Sequence, residues 1–221
     1  MRVPGVVAKA GKRGLAWAQC AFYQRVLATE VRGKGHIPHH TSFIVAANHC
    51  SHLDTGAVVT AFGRRGHELF VMGARDYFFN RRLKGWFFHT FLKVIPFDRT
   101  EKVIEGLRLA RSVLVSGRPV LIYPEGKRSV GGELLPFKPG IGLLGVELGV
   151  PIVPCLVEGT FAAMPKGKAI PRRSKVRVTF APPMTMAQYR AQHADGDRVG
   201  LYRKIADDVR QVIVKMRAGE G

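Results

Sequence analysis

The chain is predicted to form a single α/β domain, one mixed β-sheet flanked by helices with an amphipathic helix at the N-terminus. Three observations carry that expectation. Short apolar runs recur, FIVAA at 43–47, ELFVMG at 68–73, VIPFDR at 94–99, PVLIY at 119–123 and VPIVPCLVEG at 150–159. Between them lie segments with apolar residues at helical intervals, such as Val103, Ile104, Leu107 and Leu114. Strands alternating with helices pack as layers. The length of 221 residues, with no internal repeat or low-complexity linker, suits one substantial domain.

In chain order, residues 1–32 are set apart as a basic, amphipathic segment, with the main domain at 33–221. A helix from about 14 to 31 would lie in a membrane interface, with Lys9, Lys12 and Arg13 on headgroups and Trp17 and Phe22 below. A helix packed on the domain itself fits the same pattern. Gln19, Gln24 and Arg25 interrupt its apolar stretch, so it falls short of the roughly 20 apolar residues of a spanning helix. No small-residue cleavage site marks a signal peptide.

The turn-rich RGKGHIPHH leads into the buried strand 43–47, a helix at 54–62 ended by Gly63, and a strand at 68–73. Residues 76–93 interleave Phe78, Phe79, Trp86, Phe87, Phe88 and Phe91 with Arg81, Arg82 and Lys84, which suits a core cluster or an acyl-chain or membrane surface. Thr100 is placed to cap the helix that follows the strand at 94–99. PVLIY runs into PEGKRS, where Pro124 and Gly126 suit a tight turn. The segment 139–149 reads as helical despite its glycines, and the prolines of 150–159 suit an edge strand. A basic loop (166–177) precedes the alternating VRVTFAP. The last helix, about 197–217, carries Val199, Tyr202, Ile205, Val209, Val212, Ile213 and Met216 on one stripe.

The 35 Lys and Arg against 16 Asp and Glu leave a formal charge of +19. Such a surface attracts phosphates on nucleic acid, an anionic bilayer or a small substrate, and charge alone does not choose among them. Three cysteines make no even disulfide framework, which points to a reducing compartment.

NHCSHLD, residues 48–54, is where an apolar run breaks into polar residues. An imidazole becomes a useful general base when a carboxylate fixes its tautomer. Five extended residues span roughly 17 Å, and five helical residues rise about 7.5 Å. Neither lets His49 bond Asp54, so a pairing requires a turn, with His49 leaving a strand and Asp54 entering the next helix. A carboxylate there is also favoured by the helix dipole, so Asp54 as a simple cap is the plainer reading.

Three further segments, FDR (97–99), YPEGKRS (123–129) and VPIVP (150–154), follow or form apolar strands. In this order and spacing, with Asn48, His49, Ser51 and Asp54 matching N-H-x-S-x-x-D and Pro124, Glu125, Gly126, Arg128 and Ser129 matching F-P-E-G-T-R-S, the chain resembles the 1-acylglycerol-3-phosphate acyltransferase family of glycerolipid acyltransferases. The resemblance covers roughly residues 25–185. It implies transfer of a fatty acyl group from a thioester of coenzyme A or acyl carrier protein to a lysophospholipid hydroxyl, with 1-acylglycerol-3-phosphate as the default acceptor, without a cofactor and without an acyl-enzyme. His49 would deprotonate the hydroxyl and Asp54 would orient the imidazole. Backbone amides near Gly126 would meet the oxyanion, Arg99 and Arg128 would clamp the acceptor phosphate, Glu125 would position the glycerol end or orient those arginines, and Ser129 would belong to the same acceptor site; Lys127, where the family commonly has Thr, is either a further cation at that site or a solvated lysine. It also implies a peripheral enzyme on the cytoplasmic face of an anionic membrane. Lys93, Pro96, Tyr123 and Lys127 depart from the family pattern and leave the acceptor headgroup open.

Three other readings stand beside this one. His36, His39, His40, His49 and His52 fall within 17 residues, but their spacing matches no closed zinc pattern, so no metal is expected. Cys50 as nucleophile is awkward, because adjacent side chains diverge from each other. A non-catalytic basic binding domain fits the charge, yet no RNA- or DNA-reading signature appears, so nucleic acid is not expected as a partner.

Overall fold

The computed structural model describes residues 14, 17–39, 41–74, 94–97, 103–165, 167–168, 170–192 and 196–220. Arg99, Lys93, Thr100 and the aromatic segment 76–93 lie outside the described residues. Among the described residues seven strands form one sheet: β1 (Glu30–Arg32), β2 (Ile44–Ala47), β3 (Phe70–Ala74), β4 (Val94–Phe97), β5 (Val120–Ile122), β6 (Ile152–Glu158) and β7 (Arg177–Phe180). Their spatial order is β1-β7-β6-β2-β5-β3-β4. The strands β2 to β6 are mutually parallel, β7 is antiparallel to β6, and β1 runs with β7. The sheet is therefore mixed, as predicted, and the C-terminal ends of five strands open along one edge.

Besides the helical residues 17–21, the α-helices among the described residues are α1 (Leu53–Ala61), α2 (Val103–Val115), α3 (Gly140–Leu148), α4 (Thr160–Ala163), α5 (Met186–Gln192) and α6 (Arg198–Ala218). They cover both faces of the sheet. Phe43, Val45 and Ala47 pack with Leu53, Ala57 and Val58 of α1, while Ile44 and Ala46 pack with Ala110, Leu114, Leu144, Ile205 and Val209 of α2, α3 and α6. Alternate side chains of a strand point to opposite faces. Residues 43–47 are unbrokenly apolar because both faces of β2 are buried.

The structure departs from expectation in three places. The N-terminal helix ends earlier than 31: helical residues 17–21 run into a π-helical turn at Phe22–Val26, and the chain then enters the sheet at β1. Tyr23 and Leu27 are core residues, and the Tyr23 hydroxyl donates to the Leu53 carbonyl at 2.8 Å. Residues 22–32 are thus integral to the sheet and core, although the sequence reading grouped them with a separate segment. Trp17, 69% exposed, remains outside that packing. Second, β6 is interior, not an edge strand. Pro154 is tolerated because its position faces Ala181, one residue past the end of β7, where the Ala181 N–H donates to the Pro154 carbonyl at 3.0 Å and no N–H is required in return. Third, Val199 is exposed and Leu201 takes a place in the core, so the buried stripe of α6 is rotated slightly from the expected one.

The glycines of α3 serve a close helix crossing. A Cβ at Gly142 would meet the backbone of α6, overlapping the Tyr202 carbonyl oxygen and lying 2.8 Å from its Cα. Backbone cannot move aside as a side-chain tip can. Gly142→Ala is expected to destabilise the protein by about 1–3 kcal/mol despite the better helix propensity of alanine, as read by urea denaturation; a gain in stability would place α6 farther from α3.

Candidate active site

At the end of β2 the Asn48 side chain takes over from the backbone ladder. Its amide donates to the Val157 carbonyl at 2.9 Å, and its oxygen accepts from the Val157 N–H at 2.7 Å. The chain is thereby pinned to β6 at the residue before it turns. Asp54, the second residue of α1, is fully buried, and its Oδ2 accepts three hydrogen bonds, from His49 Nδ1 at 2.9 Å and from the Cys50 and Ser51 N–H groups at 2.8 Å each. Ser51 Oγ donates to the Met164 carbonyl at 2.8 Å, which ties the turn to the end of α4. A carboxylate oxygen only accepts, so Nδ1 carries the hydrogen and Nε2 is the nitrogen that can take a proton. The His49 side chain retains 17% exposure, and Nε2 has no partner among the described residues.

The chain leaving β5 packs against this turn. The Tyr123 ring stacks on the His49 imidazole, with centroids 4.0 Å apart and planes at 17°, while its hydroxyl pairs with Thr55 Oγ1 at 3.0 Å. Tyr123 to Gly126 form a tight turn closed by the Gly126 N–H on the Tyr123 carbonyl at 3.0 Å, with Gly126 at φ +72°, a conformation that favours glycine. That N–H closes the turn; of the neighbouring amides, that of Lys127 has no partner among the described residues.

Glu125 is buried, and each of its oxygens has a backbone donor: His49 N–H at 2.7 Å and Leu135 N–H at 3.1 Å. The Ser129 N–H donates to the His49 carbonyl at 2.9 Å, so the PEGKRS loop grips both sides of the His49 backbone. Lys127 is exposed and Arg128 half-buried. Ser129 Oγ is buried with no hydrogen-bond partner among the described residues. The fold thus brings His49, Asp54, Glu125, Gly126, Lys127, Arg128 and Ser129 to one edge of the sheet.

The sequence reading missed several supporting residues. Lys138 lies against the glycine turn, its Nζ 2.9 Å from where a Gly126 Cβ would stand, and its N–H donates to the Pro124 carbonyl at 2.9 Å. Arg210 of α6 donates to the Leu134 and Leu135 carbonyls at 3.1 Å each, bracing the segment that carries the Leu135 N–H. No local pattern announces contacts across 75 residues. Tyr123 was readable only as a departure from phenylalanine.

Burial pushes the Cys50 thiol up to about 12, and Sγ sits 3.4 Å from Thr160 Oγ1. A thiol so held is a poor nucleophile. Among the described residues no group of three or more His, Cys, Asp and Glu is placed to hold a metal.

Burial is the largest influence on Glu125 and raises its carboxyl from 4.5 to about 7, against the pull of its two backbone donors. Between these values the folded protein holds the proton that the unfolded chain has released, so stability falls as pH rises through that window. Relative to Glu125→Gln, which does not titrate, the wild-type protein is expected to lose about 1–3 kcal/mol between pH 4.5 and 7.5. Parallel urea denaturation series measure the difference, and a pH-independent difference would contradict the raised carboxyl.

Residues 28–158 match the family model described as Acyltransferase. Among curated proteins, the chain is 28% identical over 172 residues to the chloroplastic 1-acyl-sn-glycerol-3-phosphate acyltransferase BAT2 of Brassica napus, covering 76% of this chain and 48% of that protein. It is 29% identical over 167 residues to 1-acyl-sn-glycerol-3-phosphate acyltransferase alpha of Mus musculus, covering 72% and 56%. The chain spans about half the length of the curated relatives it matches. The crystal structure of the 1-acyl-sn-glycerophosphate (LPA) acyltransferase PlsC from Thermotoga maritima superposes with a TM-score of 0.69 at 23% identity, over 99% of this chain and 84% of that one, which establishes a shared fold. With the family model spanning more than half of the chain and the matched region containing both the His49–Asp54 turn and the PEGKRS loop, the protein belongs to the acyltransferase family.

Proposed function

We propose that the protein transfers a fatty acyl group from a thioester of coenzyme A or acyl carrier protein to the free hydroxyl of a lysophospholipid, with 1-acylglycerol-3-phosphate as the preferred acceptor. The observation that carries this reading is the His49 Nδ1–Asp54 Oδ2 bond of 2.9 Å, which leaves Nε2 as the proton acceptor at the sheet edge beside PEGKRS. His49 takes the hydroxyl proton as the acceptor oxygen bonds to the thioester carbonyl carbon. The tetrahedral intermediate then expels the thiolate, which takes the proton back from the imidazolium. Asp54 fixes the ring and stabilises its charged form. Direct transfer is favoured over an acyl-enzyme because Cys50, the adjacent thiol, is buried and held protonated.

Arg128 and Lys127 follow the turn beside His49 and supply cations for the acceptor phosphate, with Arg99 as a further guanidinium and Ser129 as a polar neighbour. Glu125 shapes this pocket from beneath through the two backbones it holds. The protein acts as a peripheral enzyme on the cytoplasmic face of an anionic membrane; no helix among the described residues is long and apolar enough to cross one.

Loss of a general base costs on the order of 10² to 10⁴ in rate. His49→Ala is expected to lose that much thiol release from acyl-CoA while still unfolding in one cooperative transition, whereas Cys50→Ala stays within about tenfold of wild type; an inactive Cys50→Ala beside an active His49→Ala would reverse the mechanism. Arg128→Ala should raise the KM for 1-acylglycerol-3-phosphate more than that for the acyl donor. Equal increases for both substrates would remove Arg128 from the phosphate site.

A further inference from the structure

The loop between α4 and β7 stands beside the His49 turn and takes no part in the chemistry above. Ser51 Oγ bonds the Met164 carbonyl at 2.8 Å where the loop begins, and Cys50 Sγ lies 3.4 Å from Thr160 at the start of α4. Because β6 is parallel to β2, this loop leaves the sheet at the edge that carries His49. Its base is anchored: the Arg172 N–H donates to the Ala163 carbonyl at 2.8 Å, and Ser174 Oγ donates to the Gly159 carbonyl at 3.2 Å.

The loop's charge is one-sided. Lys166, Lys168, Arg172, Arg173 and Lys175 fall within ten residues, and no Asp or Glu occurs between Glu158 and Asp195. Lys168, Arg172, Arg173 and Lys175 are exposed and have no carboxylate partner among the described residues, whereas Arg177, just beyond, is paired with Glu30 at 3.2 Å and Glu158 at 3.8 Å. Among these cations Ile170 is 81% exposed, more than any other large apolar side chain described. Val130, 65% exposed, follows Ser129.

Exposed apolar side chains among unpaired cations match the two layers of a membrane surface: lipid phosphates meet the cations while the apolar side chain enters the acyl boundary. A nucleic acid would reward the cations but prefers stacking aromatics, of which residues 164–176 have none. An acidic carrier protein would satisfy the charge and has less use for a protruding isoleucine. We infer that the loop 164–176 is a docking surface for an anionic bilayer, placing the mouth of the site against the leaflet that holds the acceptor. The role in acceptor delivery rests on the acyltransferase reading; the docking does not.

The test uses the full chain, a quadruple variant K168Q/R172Q/R173Q/K175Q and Ile170→Ser, with vesicles of mixed phosphatidylglycerol and phosphatidylcholine and of phosphatidylcholine alone. The quadruple variant is expected to lose on the order of tenfold or more in partition to the anionic vesicles, and Ile170→Ser to lose the part of binding that survives high salt. Acylation of vesicle-borne 1-acylglycerol-3-phosphate should fall in step, while a short-chain, freely soluble acceptor is acylated at the wild-type rate. Unchanged partition in both variants overturns the proposal. So does a defect confined to acyl carrier protein as donor, which would assign the loop to a protein partner. Failure of the wild-type protein to acylate either acceptor would refute the acyltransferase reading, with vesicle partition still deciding the docking surface.

Discussion

Everything at the sheet edge depends on one oxygen. Asp54 Oδ2 accepts from a side-chain N–H and two successive backbone N–H groups, which close the turn from β2 and fix the His49 ring together. Of the two readings of Asp54 open at the level of sequence, a cap or a partner for His49, the structure has the second: His52 stands at the N-cap without a side-chain cap bond, and Asp54 bonds amides of the turn that precedes the helix. A helix start is suited to this task, since its unpaired N–H groups and dipole favour a carboxylate. The stability of the turn and the orientation of the imidazole therefore cannot be separated by altering this residue.

Glu125 is the counterpart on the other side. Asp54 holds the ring of His49, and Glu125 holds its backbone through an N–H at 2.7 Å. Two buried carboxylates at one histidine work against each other, and the charge of Asp54 adds to the effect of burial in raising Glu125. Short backbone hydrogen bonds offset part of that cost. Tyr123 closes the third side by stacking on the ring, and its hydroxyl bond to Thr55 ties that stack to α1, the helix that Asp54 begins. A phenylalanine at this position would stack equally well but could not make that tie.

The legible part of this architecture is local. Apolar runs mark the strands, helical spacing marks α2 and α6, and the five-residue separation of His49 and Asp54 requires the turn that is observed. What could not be read depends on contacts between distant segments. The three residues of β1 are too short and too charged to announce a strand, and they pair with β7 some 147 positions later. The prolines of 150–159 signalled an edge because sequence does not say where the neighbouring strand ends. Glu125 belongs to a recognisable motif, yet its bond to the Leu135 N–H is set by a loop with no pattern of its own.

That loop explains why the chain beyond residue 158 matters to the site although the family model ends there. α6 crosses α3 closely at Gly142, and Arg210 reaches from it to the carbonyls of Leu134 and Leu135. Arg217, one helical stretch further on, donates to the Gly132 carbonyl at 3.2 Å. Two arginines of one helix thus hold the segment 132–135 from its carbonyl side, while Glu125 takes the Leu135 N–H from the other. A loop rich in glycine would otherwise be loose, and Glu125 would lack a fixed second donor. Because a buried carboxylate without its donors is costly, the C-terminal helix helps to keep Glu125 on the His49 backbone. The order of the histidine is in this sense partly a property of α6, an element that touches neither His49 nor Asp54 through any hydrogen bond described.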